Sequence, residues 1–253
     1  MARIGVVGLG EIASRMVAAL AGRGHRILVT ERSRVRSGRL AARMPEVRVA
    51  GAEVVVAESD VVVLALMAGT ARQVLPGLPF RADQSIISVM ADLPLADLAT
   101  LCAPAREIAI TILLPFIESG GCPLLVHPDS AALRDLYGDR NAILPVESEA
   151  ALNAHFIATA LLSTVLDQLR VGADWLAGHT GDAEGAEAYV LTLLAGCLRD
   201  LSAAEGGGRI AGALDALSTP GGLNATLRDR LRAAGLTDAL LGGMEGLEDR
   251  LGL

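Results

Sequence analysis

The sequence predicts an α/β protein in two parts: a doubly wound, mainly parallel sheet over residues 1–148, then an all-helical domain over residues 149–253. Three observations predict this. Short β-branched runs alternate with helical periodicity from Arg3 to Pro145, a glycine-rich turn joins the first run to the first helix, and strand signals stop at Ser148. A length of 253 residues suits one large or two modest domains.

In chain order, Arg3 to Val7 reads as a strand and Ile12 to Ala21 as a helix, closed by the glycine cap Gly22-Arg23-Gly24. His25 to Thr30 returns to strand. Arg34 to Met44 is helical, Val47 to Val49 a short strand, and Gly51 to Ala57 a short helix. Asp60 to Met67 is apolar on both faces, as a covered parallel strand requires. Ala71 to Leu75 is helical, Ser85 to Val89 a strand, Pro94 to Leu101 a helix, Glu107 to Leu113 and Pro123 to Val126 strands, Ser130 to Tyr137 a helix and Asn141 to Pro145 a last strand. Beyond Ser148, helices are expected over 150–176, 183–201, 208–217, 223–234 and 236–251, separated by glycine or proline. Several are apolar nearly all round. A small helical domain cannot bury them all, so a second subunit is expected to cover them.

The turn Gly8-Leu9-Gly10-Glu11-Ile12-Ala13 carries the clearest chemistry. Gly8 permits a tight turn off the strand, Gly10 lets the backbone approach a pyrophosphate, and Ala13 allows close helix–sheet contact. The helix start offers free N–H groups and the positive dipole end to phosphate. Set between strand, helix and second strand, this is a Rossmann-type dinucleotide-binding context. The second strand ends Val29-Thr30-Glu31-Arg32-Ser33. An acid there favours the ribose hydroxyl of NAD, whereas Arg32 and Ser33, with Arg34 and Arg36 beyond, favour the extra phosphate of NADP. NADP is expected, with NAD as the alternative.

Composition excludes several classes. The chain carries 22 basic residues against 29 acidic ones, a net charge of −7, which argues against a nucleic-acid binder. All the basic residues are arginine, so chemistry that needs a lysine ammonium is excluded. Mean hydropathy is +0.46, but charges are expected to break each apolar run before membrane-spanning length, and Met1 to Ile4 lead straight into a strand, so a soluble cytoplasmic protein is expected. Cys102, Cys122 and Cys197 read as buried free thiols. His25, His127, His155 and His179 make no metal spacing, and no metal is expected. Arg228, Arg230 and Arg232 read as a solvated helix face.

The segment Leu217-Ser218-Thr219-Pro220-Gly221-Gly222-Leu223-Asn224-Ala225-Thr226-Leu227 resembles the signature of Δ1-pyrroline-5-carboxylate reductases, a Ser/Thr-Ser-Pro-Gly-Gly-Thr-Thr stretch before an amphipathic helix. Ser85 to Asp92 and Gly172 to Gly196 are similar to further parts of that family, so the resemblance runs nearly the full length. It implies hydride transfer from a nicotinamide to a cyclic imine or amino-acid-like substrate, in a homodimer formed by the helical domains. It implies that Pro220, Gly221, Gly222 and Asn224 seat the substrate, with its carboxylate on the turn of the partner subunit, and that Pro115 lines the site. Solvent, Ser218 or Thr219 would donate a proton, and Leu66 and Met67, after the fourth strand, would line the cofactor. The residues agree on the chemistry, because consecutive N–H groups opening a helix form an anion-binding concavity.

The sequence also departs from that family. Its Met-Pro-Asn-Thr-Pro is here Leu114-Pro115-Phe116-Ile117-Glu118, its Lys-Pro is Met67-Ala68, its Ser-Gly-Ser-Gly-Pro-Ala-Tyr is 160–166, and its Thr-Thr is Leu223-Asn224. An altered substrate is therefore expected, and a non-catalytic nucleotide-binding dimer acting as sensor or partner is the alternative.

Overall fold

The computed structural model describes residues 1–31 and 34–253. The described chain forms an eight-stranded sheet, β1 (Arg3–Val7), β2 (Arg26–Thr30), β3 (Val47–Ala50), β4 (Val61–Leu64), β5 (Ser85–Ser88), β6 (Glu107–Thr111), β7 (Pro123–His127) and β8 (Ala142–Pro145), ordered β3-β2-β1-β4-β5-β6-β7-β8. Pairing is parallel except between β6 and β7. The order reverses between β1 and β4, which opens the crevice where open α/β sheets bind ligands, beyond the carboxyl ends of the strands.

Side chains alternate along each strand, so the sheet supports two cores. Ile4, Val6, Ile27, Val29, Val61 and Val63 face α1 (Glu11–Ala18), α2 (Arg34–Arg43) and α6 (Ala131–Tyr137). Val7, Leu28, Val62, Leu64 and Ile86 face α3 (Ala52–Ala57), α4 (Ala68–Val74) and α5 (Leu95–Leu101). All four residues of β4 are buried, as its two-sided apolar pattern requires. The Tyr137 hydroxyl, buried beneath α1, donates to the Met16 carbonyl at 3.3 Å, and desolvation pushes its pKa up.

After β8 only helices follow: α7 (Glu149–Thr159), α8 (Leu161–Thr180), α9 (Ala183–Ala203), α10 (Arg209–Ala216), α11 (Leu223–Ala233), α12 (Leu236–Glu245) and α13 (Glu248–Leu251). The chain packs as two units, residues 1–156 with 248–253, and residues 157–247. The last residues return to the first unit: Arg250 Nε donates to both Asp92 carboxylate oxygens, at 3.1 and 3.2 Å, and Asn153 Nδ2 donates to the Leu251 carbonyl at 2.7 Å.

Four local expectations change. The helix expected over 150–176 is interrupted at Ala160, and the one over 236–251 divides between Glu245 and Glu248. Cys102 and Cys122 are buried free thiols, but Cys197 is exposed on α9. Finally, Glu149–Thr180 is long and apolar enough, by length and composition, to cross a membrane. No Asp, Glu, Lys or Arg falls between Ala150 and Leu166, so charges do not break that run. Small polar residues such as Asn153, Ser163 and Thr164 interrupt it instead.

In the helical unit the main packing is α8 against α9. Gly181 ends α8 in the left-handed conformation (φ 73°), and Asp182 caps α9 by accepting the Gly185 N–H at 2.9 Å. No residue of α8 is buried, and Leu166, Val171, Trp175, Tyr189, Leu193 and Leu198 are exposed along the two helices.

Candidate functional site

The glycine turn leaves β1 at the strand-order reversal. Gly8 has φ +94°, and a Cβ there would stand 2.3 Å from the Ala65 carbonyl oxygen, so only glycine fits. Its N–H donates to Thr30 Oγ1 at 2.8 Å, which ties the turn to the end of β2. Thr30 was not singled out in the sequence, and its place at the end of the second strand is the signal that marks it. Leu66, next along from β4, packs against Gly8, and Met67 is 61 % exposed at the start of α4.

Gly10 differs from Gly8. Its φ is −89°, ordinary for any residue, and among the described residues no atom lies within 4 Å of where a Cβ would stand. That open space is what a pyrophosphate needs to reach the backbone. Gly10 is the N-cap of α1, no side chain caps the helix, and the N–H groups of Glu11, Ile12 and Ala13 head it. Ser14 turns its hydroxyl back onto the Gly10 carbonyl at 2.7 Å and leaves those donors clear. Ala13 is buried against the sheet, and Leu9 beside it is 1 % exposed. The cradle fits a dinucleotide phosphate: donors, dipole and clearance coincide. Glu31, which the sequence makes a candidate for the ribose, is exposed. Arg32 and Ser33 lie outside the described residues, as do the side chains of Arg34 and Arg36.

Residues Pro115–Glu118 form a single 3-10 turn after β6. Ile117 is buried in the core shared with α1, whereas Phe116 is 41 % exposed. Of the two apolar replacements in this segment, one is thus a packing residue and the other faces outward. Glu118 pairs with Arg15 of α1 at 3.0 Å, which holds the segment beside the helix that opens at Gly10.

The second candidate element lies in the helical unit. Thr219-Pro220-Gly221-Gly222 is a tight turn closed by the Gly222 N–H donating to the Thr219 carbonyl at 2.9 Å. Proline second and Gly221 third, at φ +74°, make it type II. Gly222 caps α11 without a side-chain partner, so the N–H groups of Leu223, Asn224 and Ala225 head this helix as those of residues 11–13 head α1. Asn224 and Thr219 are exposed there.

Ser218 stands differently. Its hydroxyl donates to the Leu214 carbonyl at 2.5 Å and accepts from Arg228 Nη1 at 2.5 Å. Arg228 is therefore folded back on the turn rather than part of a solvated face, while Arg230 and Arg232 remain exposed. A helical side chain leans toward its own N-terminus, which carries a residue on the second turn of α11 back over the first. Spacing alone did not reveal this contact, because it depends on the reverse turn before the helix.

The histidines make local contacts. His155 and His179 Nδ1 sit on the carbonyls four residues before them, at 2.7 and 2.8 Å, and His127 Nδ1 lies 3.0 Å from the Val146 carbonyl.

A family model described as NADP oxidoreductase, coenzyme F420-dependent, matches residues 3–92. No curated protein matches the chain by sequence. Among solved structures, 1-pyrroline-5-carboxylate reductase from Streptococcus pyogenes superposes with a TM-score of 0.85 at 19 % identity, covering 100 % of this chain and 99 % of that one. Pyrroline carboxylate reductase from Plasmodium falciparum, with NADP bound, gives 0.83 at 15 % identity, covering 99 % and 97 %. A reductive aminase from Aspergillus terreus, in complex with NADPH and ethyl-5-oxohexanoate, gives 0.61 at 19 % identity, covering 80 % and 76 %. The chain has the fold of the pyrroline-5-carboxylate reductases from end to end.

Proposed function

We propose that the protein is a soluble, cytoplasmic NADPH-dependent reductase that transfers hydride to the carbon of a C=N bond in a cyclic imine, and that it works as a homodimer. Among the several uncapped helix starts of the described residues, the two that follow glycine-rich motif turns carry this reading. One follows Gly8–Gly10 at the sheet's switch point and the other follows the Pro220–Gly222 turn, on a scaffold that follows the pyrroline-5-carboxylate reductases throughout. The fold likeness to imine-reducing enzymes such as the Aspergillus terreus reductive aminase supports the same bond class.

When bound, the reduced nicotinamide supplies the hydride. The protein's own part is modest, because an iminium carbon accepts hydride readily. The Glu11–Ala13 amides and the α1 dipole hold the nucleotide's pyrophosphate, with Gly10 giving clearance. Leu66 and Met67 give it an apolar wall. The Leu223–Ala225 amides of the partner subunit's turn would seat an anionic group of the substrate, and the Asn224 amide there would add a donor. Pro115 and Phe116 exclude water from the reacting carbon. The Ser218 proton is engaged with Leu214, so the Thr219 hydroxyl or solvent supplies the proton that the product nitrogen gains. The apolar Phe116 favours a bulkier or less polar imine than pyrroline-5-carboxylate.

NADPH oxidation with pyrroline-5-carboxylate and a panel of cyclic imines, beside direct NADPH and NADH titrations, tests the reading. Turnover of at least one imine with NADPH preferred is expected. Tight nucleotide binding without turnover of any imine would replace it with a non-catalytic sensor, and NADH binding as tightly as NADPH would reassign the cofactor.

The exposed apolar faces of α8 and α9 support the homodimer. Leu166, Leu169, Val190 and Leu191, together with the charged Arg170, Asp174 and Glu187, line a hollow of about 260 Å³ between them that a second copy's helix would fill. Glu149–Thr180 thereby finds protein rather than lipid.

A further inference from the structure

We propose that Arg228 is a positioning residue for the substrate's anionic group: it acts through Ser218 to hold the Thr219–Gly222 turn in the shape that presents the Leu223–Ala225 amides. This rests on the reading of that turn as the substrate seat.

The argument begins with geometry. Arg228 Nη1 donates to Ser218 Oγ at 2.5 Å and to the Leu214 carbonyl at 3.4 Å, while its Nε donates to Asp229 Oδ1 at 3.0 Å. Ser218 Oγ in turn donates to Leu214. One guanidinium thus links the end of α10, the residue before the turn and the second turn of α11. The side chain is only 23 % exposed, so the contact is screened less than the chain's surface ion pairs. Besides this strut, the turn is held by the Pro220 ring and by the Gly222 N–H bond to the Thr219 carbonyl. Among the described residues no atom lies within 4 Å of a Cβ built at Gly221, and the α11 N-cap has no side-chain partner.

Electrostatics adds a second reason. A cation beside the start of a helix opposes the macrodipole. Asp229 offsets part of that charge, but its side chain is 63 % exposed. Guanidinium and helix start together leave net positive potential at the turn, which an incoming carboxylate would neutralise. Arg228 also lines, with Asn224, Leu227 and Leu231, a hollow of about 320 Å³ beside α11. Ser218 is then an anchor whose hydroxyl is saturated.

Two measurements on the full-length protein test this. Hydrogen exchange reads the strut without requiring activity: in Arg228→Leu and in Ser218→Ala the Gly222 and Thr226 amides, which donate to the Thr219 and Gly222 carbonyls, should exchange about tenfold faster, the effect of losing one charge-assisted hydrogen bond, while peptides of β1 and β4 stay as in the parent. Steady-state kinetics reads the positioning role. In Arg228→Leu the KM for pyrroline-5-carboxylate should rise about tenfold with kcat changed less, and the KM for 1-pyrroline, which has no carboxylate, should change by less than about twofold. Arg228→Lys should recover part of the KM. Unchanged exchange overturns the strut, and equal KM changes for both imines overturn the positioning role. If the parent reduces no imine of the panel, the functional reading fails, and the exchange comparison still decides whether Arg228 holds the turn.

Discussion

Gly8 and Gly10 lie two residues apart and should fail differently when altered. Gly8→Ala forces a left-handed alanine and a contact with the Ala65 carbonyl, so it should cost about 2–4 kcal/mol of stability. Gly10→Ala meets no protein atom and should cost under about 1 kcal/mol, yet weaken NADPH binding by about tenfold or more by filling the phosphate's space. Thermal melts beside NADPH titrations separate the two. His25 offers a test by pH. Burial first, then the Arg23 guanidinium and the chain's amino terminus, lowers its pKa, and its Nδ1 accepts the Ala2 N–H at 3.3 Å only when unprotonated. A lowered folded pKa means that this contribution is whole above the ordinary imidazole value of about 6.5 and is lost as pH falls through the lowered one. Urea midpoints should therefore drop from about pH 7.5 to 5.5, and His25→Gln should flatten that dependence. Cys102, which burial pushes up to about 12, should resist alkylation at neutral pH.

At the scale of elements, the α8–α9 hairpin and the Pro115–Glu118 turn carry the tests. Asp182 accepts the Gly185 N–H at the start of α9, so Asp182→Ala should lower stability by about 1 kcal/mol without changing nucleotide binding. In the 3-10 turn Phe116 faces outward while Ile117 fills the core. Phe116→Asn should then shift kcat/KM toward pyrroline-5-carboxylate by about tenfold over bulky imines, the scale on which pocket polarity discriminates, whereas Ile117→Thr should mainly destabilise. A competition assay with the two substrates reads the first change, and a melt reads the second. The sequence marked both positions as departures from the family but treated them alike. Only the packing of the turn against α1 distinguishes them.

For the whole molecule the decisive property is assembly. No residue of α8 is buried, and if a second copy covers that face, as proposed, light scattering should report twice the chain mass. Leu193→Glu, on an exposed apolar face of α9, should give monomers that melt earlier and lose imine reduction while still binding NADPH. A monomeric parent, or a parent found only in membranes, would overturn the dimer.

Most of the first unit was legible in the sequence because its rules are local. Period-two apolar runs, the Gly8–Ala13 turn and the glycine caps each follow from backbone sterics and burial within a few residues, so the strand–helix alternation and the nucleotide cradle could be written down from the chain alone. The Thr219–Gly222 turn was legible for the same reason, since Pro-Gly-Gly dictates its own backbone. The rest needed the tertiary structure. Thr30 binding Gly8, Glu118 holding the 3-10 turn to Arg15, and the closing residues joining Asp92 all pair groups 22 to 158 positions apart. Arg228 reaching Ser218 spans fewer residues, but it depends on the chain reversing before α11. Hydrogen bonds and ion pairs of this kind depend on distance and direction in space, and hydrophobic periodicity along the chain encodes neither.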